Sequence, residues 1–508
     1  MKNFNLLRNA ALSVFAMLAV SCSDEPIDGA GVSTEAARPK NMPAVMFYAL
    51  SDEMRLDGYS TANPKSMLSS VSISGLQSGE TLMAIDFRPA TGQLYGLGSS
   101  SRLYVINIET GMAHPLGTAP FTPALSGDLA GFDFNPTVDR IRVVTSSGQN
   151  LRLHPETGAV AVVDGNVNGA AGAMIAGSAY TGNVAGSSVT ALYNIDVTGR
   201  LYKQMPPNDG TQVFVGNINA PISGEGGFDI APETDWALAI FGQGDNSALY
   251  SMDLMTGKAM RMAIYDSGVK YTGIAIQSRP VAYAVNTSNQ LMIFNPMNPS
   301  VTVIKPITGM ADGATVLGID FRPANGQLYA LGSNGQLYGL NLSSGAAMAI
   351  GMPISTGLMG THFGFDFNPV VDRIRIVSDT GQNLRVNPND GVAIMDGMLN
   401  PGSPMVNGAA YTNSYFGTTA TSLYVMNNTT LFAQNPPNAG TLTAIGNLGF
   451  TAESWTGFDI GGRSNGAFAI LTANGSSKVY AINTMTGMAT AAGNFPAQVT
   501  AMAVGLGF

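Results

Sequence analysis

Gly131–Arg152 reads GFDFNPTVDRIRVVTSSGQNLR, and Gly364–Arg385 reads GFDFNPVVDRIRIVSDTGQNLR, with 17 of 22 positions the same. Chance does not give that, so the chain contains a duplicated unit. The shared stretch alternates short apolar runs with Asn-Pro and Ser/Asp-Gly breaks, which is the punctuation of strands and turns. Working outward, Ile85-Asp86-Phe87-Arg88-Pro89 returns as Ile319-Asp320-Phe321-Arg322-Pro323, and Gly92-Gln93-Leu94-Tyr95 as Gly326-Gln327-Leu328-Tyr329. Pro206-Pro207-Asn208 returns as Pro436-Pro437-Asn438, and Gly227-Phe228-Asp229-Ile230 as Gly457-Phe458-Asp459-Ile460. Two halves follow, about 44–277 and 281–508.

A shorter period lies inside each half. Turn glycines fall at Gly111, Gly158, Gly210 and Gly257, then at Gly345, Gly391, Gly440 and Gly487, spaced 47, 52 and 47, then 46, 49 and 47 residues. Four strands per mid-forties period is the pattern of a β-propeller blade. In one unit the strands are predicted at Phe363–Phe367, Arg373–Ser378, Gln382–Asn387 and Val392–Met395. Five such units fit in each half. Each half opens without an inner strand, at Val45–Leu50 and at Val281–Val285, and ends with a spare one, Tyr271–Ile276 and Val499–Val504. A spare that completes its own first blade hides two sheet edges. The expectation is an all-β chain of two five-bladed propellers in tandem. A single ten-bladed ring, with the two spares exchanged, is the alternative.

The combination FDFNP-x-VDRIR, GQNLR, PPN-x-G and GFDI resembles the bacterial family called domain of unknown function 4394, as two copies covering about 45–508. The resemblance implies a secreted or surface β-rich repeat domain with no established activity. It supplies no catalytic residues.

The N-terminus reads as an address. Lys2 and Arg8 make a basic start, and Ala10–Val20 is an apolar run of 11 residues, too short to span a bilayer. Leu18-Ala19-Val20-Ser21-Cys22 resembles a lipobox, so residues 1–21 are expected to be a signal peptide and Cys22 the lipidated residue. Cys22 is the only cysteine, which excludes an intrachain disulfide. Ser23-Asp24-Glu25 points to the outer membrane and, further, to cell-surface exposure. Residues 22–43 read as a polar tether, whose flexible part would average about 25 Å end to end. Removing residues 1–21 takes away two of 24 basic residues and none of the 33 acidic ones, changing the net charge from −9 to −11. That balance excludes nucleic acid as a partner.

Chemistry-bearing residues are few. The histidines are His114, His154 and His362, none at metal-ligand spacing, and no nucleophile elbow or phosphate loop is present. The candidates are carboxylates on inner strands: Asp86, Asp133 and Asp229, then Asp320, Asp366 and Asp459. Converging on a channel, such a trio would suit glycoside hydrolysis, which needs one protonated and one ionised acid, or would hold calcium. The favoured reading pairs them with strand arginines between blades, Arg88, Arg140, Arg142, Arg322, Arg373 and Arg375. No cofactor is then needed. The expected role is non-catalytic binding of a protein or glycan through propeller rims or channels, with membrane attachment through the lipid. A glycan hydrolase and a structural envelope component are the alternatives.

Overall fold

A computed structural model describes residues 42–508 except 221, 223, 233, 266, 267, 454 and 455. The signal peptide, Cys22 and nearly all of the tether lie outside the described residues, as does Trp455. The described chain is all-β. It forms ten four-stranded antiparallel sheets, with 3-10 turns at Pro207–Asp209 and Pro437–Ala439. The unit predicted above is found at Phe363–Asn368, Arg373–Ser378, Asn383–Val386 and Ala393–Met395, paired in that order.

Each turn glycine works as the sequence suggests. Asn107 Oδ1 accepts the Glu109 and Thr110 N–H groups at 2.9 and 3.1 Å, and Gly111 then turns the chain at φ 72°. Eight of the sheets are consecutive meanders. The other two are closed by a strand from far along the chain: Tyr271–Ile276 pairs with Met46–Ser51, and Val499–Val504 with Ala282–Asn286. Each half therefore uses its own spare strand.

The innermost strands pack in sequence. Leu82–Phe87 lies against Ala130–Asn135, that strand against Ile175–Tyr180, then Gly226–Ile230, then Tyr271–Ile276, which returns to Leu82–Phe87. The second half repeats the cycle through Val316–Phe321, Phe363–Asn368, Gly408–Tyr411, Thr456–Ile460 and Val499–Val504. Such close approach explains the glycine of the GFD motif. A Cβ on Gly131 would stand 2.0 Å from Ser178 Oγ, and one on Gly364 2.6 Å from the Ala409 amide nitrogen, in each case on the next inner strand.

The core lies between neighbouring sheets. Leu97 and Leu103 of one sheet pack against Phe132, Phe134, Ile141 and Val143 of the next. Tyr95 meets Phe134 edge-on at 5.0 Å between centroids, and Tyr329 meets Phe367 at 5.1 Å. Tyr95, Tyr104, Tyr329 and Tyr338 are all buried, as expected of inter-sheet core.

Candidate functional site

An innermost strand has one edge paired in its sheet and one edge free. The N–H groups on that free edge need acceptors. Aspartates supply them. Asp86 accepts the Phe87 N–H at 2.7 Å and, across to the next inner strand, the Phe134 N–H at 2.9 Å. Asp229 likewise joins Ile230 at 2.6 Å to Ile276 at 2.5 Å. In the second half Asp320 joins Phe321 to Phe367, both at 2.7 Å, and Asp459 joins Ile460 at 2.6 Å to Val504 at 2.5 Å. The equivalent positions without an acid carry Ala179, Ala275, Ala410 and Ala503.

These bonds draw the acids together. Asp86, Asp133 and Asp229 each bring a carboxylate oxygen within 4.8 Å of the others, and Asp320, Asp366 and Asp459 do the same. All six are buried. Burial pushes every one of them up from the ordinary carboxylate range. The charges of neighbouring acids push Asp86, Asp133, Asp320 and Asp366 further. Asp229 and Asp459 rise to about 7, where the amide hydrogen bonds work against burial.

The expected arginine partnership is corrected here: no hydrogen bond or ion pair joins an axial aspartate to Arg88, Arg140, Arg142, Arg322, Arg373 or Arg375 among the described residues. The amides of the free strand edges have taken the carboxylates instead. Arg88 pairs with Asp139 through Nε at 2.9 Å and Nη2 at 2.5 Å, and also reaches Glu156 at 3.0 Å. Arg322 pairs with Asp372 in the same two-pronged way. Arg142 bonds Asp164 at 2.5 Å, Asn150 at 2.8 Å and Asn208 at 2.8 Å; Arg375 bonds Asp396, Asn383 and Asn438 at 2.7, 2.8 and 2.8 Å. Arg140 and Arg373 donate to the carbonyls of Asp139 and Asp372 beside them. The long repeated stretch is thus a clamp. Its VDR aspartate holds the preceding sheet, and its DRIR arginine and GQN asparagine hold the PPN loop of the following one.

A family model for a domain of unknown function (DUF4394) matches residues 55–275 and again 290–505. The chain belongs to this family. It carries two tandem copies in a propeller-like, β-rich fold. No curated protein matches the chain in sequence. Among solved structures it is similar to that of U3-55K, at 8% identity over 78% of this chain and 90% of that one, with a TM-score of 0.23. It is also similar to the Kuenenia stuttgartiensis hydrazine synthase, at 8% identity over 73% and 97%, with a TM-score of 0.25. Likeness at that level carries no functional argument.

The family signature is accordingly structural, and partners missed from the sequence complete it: Asp139, Asp164, Asn208 and their counterparts Asp372, Asp396, Asn438. Their signal was available, since VDR, D-G and PPN recur in both copies. The asparagines of the PPN loops face arginine. His362 sits in a loop with Nδ1 3.2 Å from Asp379.

A second feature distinguishes the copies. An open cleft of about 650 Å³ lies between the fourth and fifth sheets of the first half, walled by Trp236 and Tyr193 and edged by Asp235, Asp253 and Lys258. The two rings are partly buried and the three charged residues exposed. Aligned through GFDI and the strands that follow, the second copy has Gly466 for Trp236, Asn465 for Asp235, Asn483 for Asp253 and Met488 for Lys258. Tyr193 alone is kept, as Tyr424.

Proposed function

We propose that the chain is a lipid-anchored outer-membrane protein of two five-bladed β-propellers, and that it binds a glycan, without cleaving it, in the Trp236 cleft. The blade count is supported by the two spare strands, each used within its own half, and by the two five-strand cycles around which the innermost strands pack. An exchange of spares, as a ten-bladed ring needs, would pair Tyr271–Ile276 with Ala282–Asn286.

The cleft carries the functional reading. An aromatic wall ringed by exposed carboxylates and an ammonium suits a sugar, whose C–H face stacks and whose hydroxyls take the charges. Nothing in the shared fold demands these groups, since the second copy folds with glycine, two asparagines and methionine there. The axial acids argue against hydrolysis. Their oxygens are close enough together for a retaining glycosidase, but all six acids are buried and five of them are already committed to backbone amides.

A glycan array followed by calorimetry with the full chain tests this. The expected result is retention of a glycan class, with Trp236→Gly weakening it at least about tenfold and Asp253→Asn doing so more mildly. Equal binding by both variants, or capture of a protein partner with no glycan retained, would overturn it. Cys22→Ala should release the protein from the membrane fraction, and an external protease should clip the folded region on whole cells.

A further inference from the structure

The two axial trios hold the same three acids with different hydrogen bonds. In the second half Asp366 accepts the Tyr411 N–H at 2.9 Å. In the first half the counterpart, Asp133, is 1% exposed, and neither of its oxygens has a hydrogen-bond partner. The Tyr180 amide, equivalent to that of Tyr411, lies outside hydrogen-bond geometry with Asp133. A buried carboxylate with no donor loses its hydration and gains nothing in return. Two more carboxylates within 4.8 Å compound the cost.

We propose that Asp86, Asp133 and Asp229 form a site for a hard divalent cation of calcium's size, and that the second trio does not. The donor set is oxygen only, which suits calcium, magnesium or manganese and disfavours softer metals. Calcium–oxygen bonds of about 2.3–2.6 Å place opposed ligands about 5 Å apart, whereas magnesium requires about 4 Å. Oxygens held within 4.8 Å of one another can span the larger ion, and three carboxylates on rigid strands suit calcium's tolerance of irregular geometry better than magnesium's strict octahedron. Charge agrees: one divalent cation turns a trio of three negative charges into a net −1. The amide bonds do not block ligation, because each carboxylate oxygen can accept twice. They hold Asp86 and Asp229 toward the axis and leave Asp133 as the uncommitted arm.

A narrow void with free room for about one water molecule is lined by all five inner strands of this half, through Ile85, Phe132, Gly177, Phe228 and Gly273 among others. It reaches the residues immediately before all three acids. In the second half the Tyr411 amide already takes up the arm, Asp366, that its counterpart Asp133 leaves uncommitted. The inference is independent of what the Trp236 cleft binds.

The test uses the full chain stripped with EGTA and titrated with calcium, read by calorimetry and by melting temperature. The expected result is one calcium per chain and a melting temperature several degrees higher, with magnesium at least about tenfold weaker. Asp133→Asn should weaken calcium at least about 100-fold, while Asp366→Asn keeps it. No calcium response in the wild type, undiminished binding by Asp133→Asn, or a second equivalent lost in Asp366→Asn would each overturn the proposal. Should Asp133→Asn fail to fold, the wild-type stoichiometry and its calcium-over-magnesium preference decide alone.

Discussion

Arg88 and Arg322 occupy the same place in the two copies and make the same two-pronged bond, to Asp139 and Asp372. Their surroundings differ. Arg88 is wholly buried, because it also donates to the Gly326 carbonyl of the other half at 3.1 Å, while Tyr283 bonds back to the Ala90 carbonyl at 2.9 Å. The Asp372 side chain is 36% exposed. Duplication therefore produced one latch sealed at the junction of the halves and one left in water. A shared sequence motif fixes the geometry of an ion pair, but the neighbouring copy fixes its energy.

The largest expected effect comes from that difference. Arg88→Ala leaves Asp139 buried without its partner and should cost about 3–5 kcal/mol, as removal of one member of a buried pair does. Arg322→Ala should cost about 1 kcal/mol or less, because water can solvate Asp372. Parallel urea denaturation of the two variants checks this. Equal losses would mean that the junction adds nothing to the first latch.

The axial trios give the next comparison. An acid raised to about 7 in the folded chain, against about 3.9 when unfolded, holds its proton in the native state over a range where the unfolded chain has lost it. Stability from this source is therefore full below about pH 4 and declines as pH rises through about 7. In the calcium-free protein both trios should contribute to that decline. Asp459→Asn should remove that residue's own share of the second-half part, reducing the decline between pH 4 and 7 by a few kcal/mol at most and leaving the shares of Asp320 and Asp366. Calcium should remove the first-half part, since the ion replaces the protons. Melting temperatures across pH, with and without calcium, separate the two. A wild-type profile that rises between pH 4 and 7 would contradict the protonated state of both trios.

Much of this arrangement was legible in the residues. Period and turn chemistry located the strands, and the spare runs Tyr271–Ile276 and Val499–Val504 were visible because each half began one strand short. The inner aspartates were legible too, as acids between apolar neighbours. Their partners were not. Arginines were expected against them between blades; Asp133 does stand opposite Arg142 in register within its own sheet, and Asp366 opposite Arg375, yet neither pair bonds. The competing demand comes from the free edge of the innermost strand. That demand appears only once neighbouring inner strands are brought within a glycine's width of each other. The Trp236 cleft was hidden for a different reason. A search for what the copies share passes over what one copy alone has kept.

The smallest effect on stability should come from that last difference, and it is the most informative about function. Lys258 is exposed, and its counterpart is Met488. Lys258→Met should therefore change stability by no more than about 0.5 kcal/mol, as substitutions at solvent-facing positions do. Glycan affinity should nevertheless fall severalfold, because the cleft loses the ammonium on its edge. The reverse change, Met488→Lys, should leave binding unaltered, since Gly466 offers no ring beside it. If Lys258→Met and Met488→Lys prove equally silent in binding, the charges around Trp236 are ordinary surface, and the first copy has no recognition chemistry that the second lacks.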